Sequence, residues 1–310
     1  MFHHFHDNQF HLKGQGSISQ DDFYKLILFI GKNNILDADV FSEKLKENKL
    51  KKNEVCLTFD DSIKCQIDVA LPILEDLNIK SFFFVYTSLF DEKPDNLEVY
   101  RYFRMNFFDS VENFYKKFYL RLNVNLKKFF KEYKNQIEYK KVKSPHYSIE
   151  DIKFRFVRDI LIRKDSYEKI MLSMMEEKKF DYKKYYKKLF FDKNDLRKLN
   201  NLGHLIGLHS HNHPTLFEGL DYEEQLNQYK KSLSIISKIL NKPKKDINCM
   251  SHPNGSYNLD TLEILKNLGI NLGFKHIMQV EPEKGMKNIN NSNLEIAREN
   301  HSAIIKIMNK

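Results

Sequence analysis

Leu57-Thr58-Phe59-Asp60-Asp61-Ser62 ends an apolar run, Val55-Cys56-Leu57-Thr58-Phe59, in two adjacent carboxylates. The run predicts a short buried β-strand with Asp60 and Asp61 at its carboxyl end. Like charges side by side at a strand end are costly unless a metal or a shared proton compensates them. Asp and Ser are also common helix N-caps, so this stretch alone leaves a capping role and a chemical role open. Downstream, Ile67, Ala70, Leu71, Leu74 and Leu77 form one helical stripe over 64–78, ended by Asn78. Ser81-Phe82-Phe83-Phe84-Val85-Tyr86 then reads as a strand buried on both faces. Strand, helix and strand make a βαβ unit with parallel pairing, in which functional residues gather at the carboxyl ends of the strands.

The alternation returns at His204-Leu205-Ile206-Gly207-Leu208, a predicted strand leading into His209-Ser210-His211-Asn212-His213. On a helical turn, His209 and His213 would place both imidazoles on one side, as in zinc sites built on an i, i+4 pair. A carboxylate from a neighbouring strand end would complete a His₂-Asp set with an open position, the mark of a catalytic metal. His211, between the two, reads as a local structural group. After it come a predicted helix over 221–240, opened by Asp221, and a strand at Ile247-Asn248-Cys249-Met250. The turn Ser251-His252-Pro253-Asn254-Gly255-Ser256-Tyr257 follows, then a helix over 258–268 ending at Gly269. Short strands near 270–275 and 294–297 and a terminal helix complete the pattern. Upstream of Val55, 21–31 reads as a helix and 42–53 as a charged surface segment. His3, His4, His6 and His11, interleaved with Phe, fit either an exposed terminus or a short strand near the site.

Between 91 and 200 the chain changes character: Lys, Phe and Tyr are dense, glycine is nearly absent, and apolar residues such as Phe114, Phe118 and Leu122 recur at helical spacing. This is a helical insertion, with Pro94 and Pro145 its two prolines. It carries a net +10 against +9 for the whole chain, so the remainder sums to −1. The surplus suits a basic lid over a phosphorylated substrate or contact with an anionic membrane face, and equally the plain solvation of lysine-rich helices. No nucleic-acid-binding module is present, and nucleic acid is not an expected partner. At 310 residues the chain is long enough for a full core with one insertion, and its 41% hydrophobic content is that of a soluble domain. Cys56, Cys65 and Cys249 show neither metal spacing nor a disulfide framework. Free cysteines, no basic-then-apolar leader and no run of about 18 apolar residues place the expectation in the cytoplasm, peripheral at the inner membrane face if the basic insertion touches lipid.

Thr58-Phe59-Asp60-Asp61 followed by His209-Ser210-x-x-His213, each after a strand, resembles the polysaccharide deacetylase family, the NodB-homology domain. Ser251-His252-Pro253-Asn254-Gly255 is similar to that family's third motif, and 273–298, through Ile296-Ala297-Arg298, to its closing segment. The resemblance spans about 1–90 and 200–300. It implies an irregular (β/α) barrel, made of 1–90 and 201–310, interrupted by the helical insertion 91–200. It also implies a hydrolase that removes an acetyl or formyl group from a sugar nitrogen, in surface-glycan or nucleotide- or lipid-linked sugar metabolism. By the same resemblance Asp60 is the general base, and Asp61, His209 and His213 hold one divalent ion, zinc first, with cobalt, manganese, nickel or iron as alternatives. A backbone N–H near Ser256 or Tyr257 would meet the oxyanion. The family's third motif opens with an Arg that steadies the base; Ser251 stands there, leaving Arg298 to take over. For the general acid, His252 ranks ahead of His276 and His301. The alternative is a non-catalytic protein binding a glycan or a membrane partner on the same fold.

Overall fold

Phe2 lies beside Phe59, its N–H donating to the Thr58 carbonyl (2.9 Å) and its carbonyl accepting from the Asp60 N–H (3.1 Å), so the N-terminal segment flanks the strand that ends in the two aspartates. The computed structural model describes residues 1–7, 9–91, 95–143 and 147–310; Pro94 and Pro145 fall outside them. In chain order the strands are β1 (His4–His6), β2 (Ser17–Ser19), β3 (Thr58–Asp60), β4 (Phe82–Val85), β5 (Leu205–Leu208), β6 (Cys249–Ser251) and β7 (Leu272–Phe274). The helices are α1 (Gln20–Ile30), α2 (Ala38–Lys46), α3 (Leu71–Asp76), α4 (Leu97–Asn106), α5 (Val111–Tyr119), α6 (Leu126–Glu132) and α7 (Lys134–Lys143). They continue with α8 (Ile149–Phe156), α9 (Arg163–Glu177), α10 (Tyr186–Leu189), α11 (Lys193–Asn201), α12 (Tyr222–Leu240), α13 (Leu259–Asn267) and α14 (His301–Met308).

Two units result: residues 1–95 with 189–310, and residues 96–188. In the first, β3-β4-β5-β6-β7 form one sheet, parallel throughout and in sequence order. Single parallel bridges extend it at both edges, Phe2 to Phe59 and Ile296 to Phe274. The sheet curls into a half-closed (β/α) barrel with helices outside. The strands are apolar on both faces because both are covered. Phe59 and Phe83 stack at 4.6 Å within the core that Phe2, Phe5 and Phe23 share. Phe82, Phe84, Leu272 and Phe274 belong to a separate cluster that packs with Ala38 and Phe41. Helix α2, which supplies those two residues, lies partly in the stretch that sequence alone assigned to the surface. Its charged residues hid a buried face of Ala38, Phe41 and Ser42. Gly207 in β5 is required by packing: a Cβ there would lie 2.7 Å from both the Phe84 ring and the Cys249 carbonyl.

The helix after Asp61 begins with a wide turn at Gln66–Ala70 and continues as α3, with Asn78 left-handed beyond its end. Asp221 caps α12 through a reciprocal pair with Glu224, and Gly269 follows α13 at φ 79°. Helix α11, assigned from sequence to the insertion, belongs to the first unit and packs on α12 and β5. The second unit is helical throughout the described residues and is held by an aromatic core that includes Phe103, Phe114, Phe118 and Phe154.

Candidate functional site

The carboxyl ends of β3, β5 and β6 bring the aspartates together with His209 and Ser251, which the parallel order of the strands makes inevitable. Among the described residues, one cluster of His, Cys, Asp or Glu could hold a metal ion, namely Asp61, His209 and His213. Asp61 Oδ1 lies 3.2 Å from His209 Nε2 and 3.2 Å from His213 Nε2, and the two nitrogens are 3.2 Å apart. A cation about 2.0–2.1 Å from each of three tetrahedral ligands would hold them about 3.3 Å apart. Three ligand atoms of the kinds zinc takes converge at the spacing such a cation would impose, so the donor set fits a divalent ion such as zinc. His209 Nδ1 is 2.8 Å from the Ser251 carbonyl, the partner that leaves Nε2 as the free lone pair.

The ligand spacing is achieved without a helix. Residues 209–214 form an irregular loop with Ser210 (φ 64°) and His213 (φ 49°) left-handed, and Asp61 (φ 76°) and Ser62 (φ 56°) are left-handed too. Non-glycine residues hold such conformations only when their surroundings over-determine them. Here Ser210 Oγ accepts from the His213 N–H (3.0 Å), and Gln228 Oε1 on α12 accepts from the N–H groups of His211 (3.0 Å) and Asn212 (2.8 Å). His211 itself turns away, Nδ1 on Thr87 Oγ1 at 2.9 Å and Nε2 facing Asp91 at 3.5 Å.

Asp60 is buried and held by Arg298, whose two terminal nitrogens donate one to each carboxylate oxygen at 2.8 Å. The guanidinium also donates to Ser251 Oγ (2.7 Å), Thr58 Oγ1 (3.1 Å) and the Lys275 carbonyl (2.5 Å), and Ser251 Oγ donates to Asp60 (3.1 Å). Burial opposes charge on Asp60, but the Arg298 cation outweighs it and holds the carboxyl well below its ordinary range. Asp61 is half-buried, and His213 and His209 pull its carboxyl far down against the cost of that burial. His213, against its own burial, is raised by Asp61.

His3 is the residue that sequence reading only loosely connected to this place. Its Nε2 stands 3.9 Å from Asp60 and 3.8 Å from Asp61. Burial lowers its pKa to about 4, with the two aspartates pulling the other way. The Phe-His alternation of residues 2–6 was the available signal; the pairing of Phe2 with Phe59 is what aims it. The three proton-donor candidates drawn from the closing segments are engaged elsewhere. His252 is fully buried, with Nε2 on the Leu294 carbonyl (2.8 Å), its ring stacked on Tyr257, and burial lowering its pKa to about 3. The His276 ring packs on Gly255, where a Cβ would meet Nδ1 at 1.8 Å. His301 stacks on Phe2.

No curated protein matches the chain. Among solved structures it is similar to the deacetylase PplD of Streptococcus pyogenes, solved with acetate. The identity is 16% over 96% of this chain and 88% of that one, with a TM-score of 0.53. IcaB of Ammonifex degensii (11%, 99% and 92%, TM-score 0.55) and a de-N-acetylase of Aggregatibacter actinomycetemcomitans (13%, 99% and 97%, TM-score 0.54) share the architecture. These likenesses establish the fold. The sequence profile described as polysaccharide deacetylase matches residues 47–104 and 166–273, which is over half the chain and includes both the β3 aspartates and the β5 histidines; the chain belongs to the polysaccharide deacetylase family.

Proposed function

We propose that this protein is a metal-dependent hydrolase that removes an N-acetyl group from an amino sugar of a glycan. The observation that carries the reading is the open Asp61-His209-His213 triangle set beside Asp60, an anionic carboxylate clamped by Arg298. Bound there, a divalent ion would supply Lewis-acid polarisation of the amide carbonyl and a more acidic water. Asp60 accepts the proton that the attacking water gives up, and Arg298 fixes the direction of its lone pairs. Ser251 fits this division of labour: where the family's motif carries Arg, a small hydroxyl leaves room for the guanidinium that Arg298 brings from the closing segment. His3, within 4 Å of both carboxylates, takes up the proton that Asp60 accepted and passes it to the departing nitrogen, so that a free amine and acetate leave.

The substrate class is an N-acetylated sugar, a reading supported by the polysaccharide deacetylase profile and by the deacetylase and de-N-acetylase names of the structural neighbours; nucleotide-linked and lipid-linked sugars and an N-formyl group are variants of the same chemistry. The free thiols of Cys56, Cys65 and Cys249 support a reducing compartment. The test is acid release from N-acetyl and N-formyl amino sugars presented free, as oligomers, UDP-linked and lipid-linked, after chelation and after re-addition of Zn²⁺ or Co²⁺. Acetate release that needs the metal and disappears in Asp60→Asn supports the reading, and formate release would move the acyl specificity. A tightly bound metal with no release from any substrate would favour a glycan-binding protein on this frame.

A further inference from the structure

We infer that the turn between α5 and α6 is a docking site for an anionic lipid bilayer, made by residues that take no part in the chemistry at the strand ends. The unit of residues 96–188 holds 24 Lys and Arg against 13 Asp and Glu, a surplus of 11 in a chain whose total is +9. Within it, residues 116–131 contain six cations and no acid. Lys116, Lys117, Lys127, Lys128 and Lys131 are exposed; Arg121 is compensated by Glu177 and donates to the Lys117 carbonyl. At the centre of this stretch two bulky apolar side chains face water, Leu120 at 85% exposure and Val124 at 42%. The apolar inner faces of the two helices are already spent on the core through Phe114, Phe118 and Phe129, so neither exposed side chain is needed for folding.

An apolar tip ringed by lysines matches the boundary between anionic headgroups and acyl chains: the tip enters, and the ammonium groups stay level with the lipid phosphates. A nucleic acid would use the charge but not the tip. Of the aromatics in this stretch, Phe118 and Phe129 are buried, Tyr119 and Phe130 are half-buried, and Lys153 lies over the Phe130 ring, so none offers a free face for stacking on bases. Among the described residues no helix is long and apolar enough to cross a membrane, so this mode is attachment to a surface.

The test is co-sedimentation of the full chain with vesicles of phosphatidylcholine alone and with a minority of phosphatidylglycerol. The expected result is binding to the anionic vesicles only, weakened by salt. Leu120→Ser with Val124→Ser should lower partitioning about tenfold, and Lys127→Glu with Lys128→Glu by about tenfold or more. The same charge reversal at the exposed Lys244 and Lys245 of the other unit should change it far less. Absence of binding to anionic vesicles overturns the proposal. So does binding that the two serine substitutions leave intact, or an equal loss from the Lys244 and Lys245 reversal. Tight binding to duplex DNA with none to vesicles would replace lipid by nucleic acid.

Discussion

Each unit of the molecule buries an aspartate against arginine, and the two arrangements have opposite characters. In the helical unit, Asp151 receives Tyr115 Oη (2.8 Å) on one oxygen and Arg155 Nε (2.7 Å) on the other, with Arg104 3.7 Å away. The carboxylate is enclosed by donors and sits between α5 and α8, which it ties together. At the strand ends Asp60 has an equally firm partner in Arg298, yet Asp61 beside it converges with two imidazole nitrogens on one point, each pair 3.2 Å apart. A buried charge alone is therefore no sign of chemistry. What separates a site from a brace is a donor set that does not close on itself.

The largest effect expected of this difference is on turnover. Asp60→Asn keeps the shape and several of the hydrogen bonds but removes the carboxylate proposed as proton acceptor, and kcat should fall by about 10²–10⁴-fold while bound metal, measured on the purified protein, is retained. Loss of metal in parallel would mean that Asp60 belongs to the ligand set and that the base lies elsewhere. Asp151→Leu should do the reverse. Stranding Arg104 and Arg155 without their carboxylate should cost about 3–5 kcal/mol in denaturant unfolding, with kcat per folded molecule unchanged. A change in kcat there would break the distinction between brace and site.

Much of the first unit was legible because its rules are local. Apolar runs too short for helices, turn residues after them and carboxylates at one end gave the parallel strands, and the order of the two main motifs placed Asp60, Asp61, His209 and His213 at one edge. What stayed hidden depended on distant partners. Arg298 entered only through the resemblance, which left it the place of the Arg missing at Ser251; nothing near it in the chain says that it will straddle both oxygens of Asp60. Phe2 had to pair with Phe59 before His3 had a direction. The i, i+4 histidines suggested a helical turn, and the chain used a loop with two left-handed residues instead. Helix α2 was missed because its buried face is only three residues among charges.

A third buried group tests how burial without any charged partner shows itself. His204 begins the approach to β5, accepts the Ser81 N–H on Nδ1 (3.0 Å) and packs edge-on against Phe83. Burial lowers its pKa from 6.5 to about 4. The unfolded chain therefore binds a proton between those values and the folded one does not. The stability that goes with the neutral ring is complete above pH 6.5 and is lost as pH falls toward 4, by about 2–3 kcal/mol. In His204→Asn, whose amide oxygen can accept the same N–H, unfolding curves at pH 7 and pH 4 should differ by that much less. An unchanged difference would assign the acid sensitivity to other groups.

The smallest effect sharpens the comparison most, because it leaves every ligand in place. Gln228 touches none of Asp61, His209 or His213 through its carbonyl; it accepts the N–H groups of His211 and Asn212 and so holds the loop that carries the two histidines. An open donor set cannot orient itself as the Asp151 cluster does, and must be braced from behind. Gln228→Ala should weaken zinc binding, measured by competition with a chelator, by about 10–100-fold with little change in thermal unfolding. Gln228→Glu, which keeps an acceptor oxygen, should recover most of the affinity. Equal affinity in all three proteins would mean that the left-handed turns at Ser210 and His213 hold the ligand loop without help from α12, and that the triangle is rigid before any ion arrives.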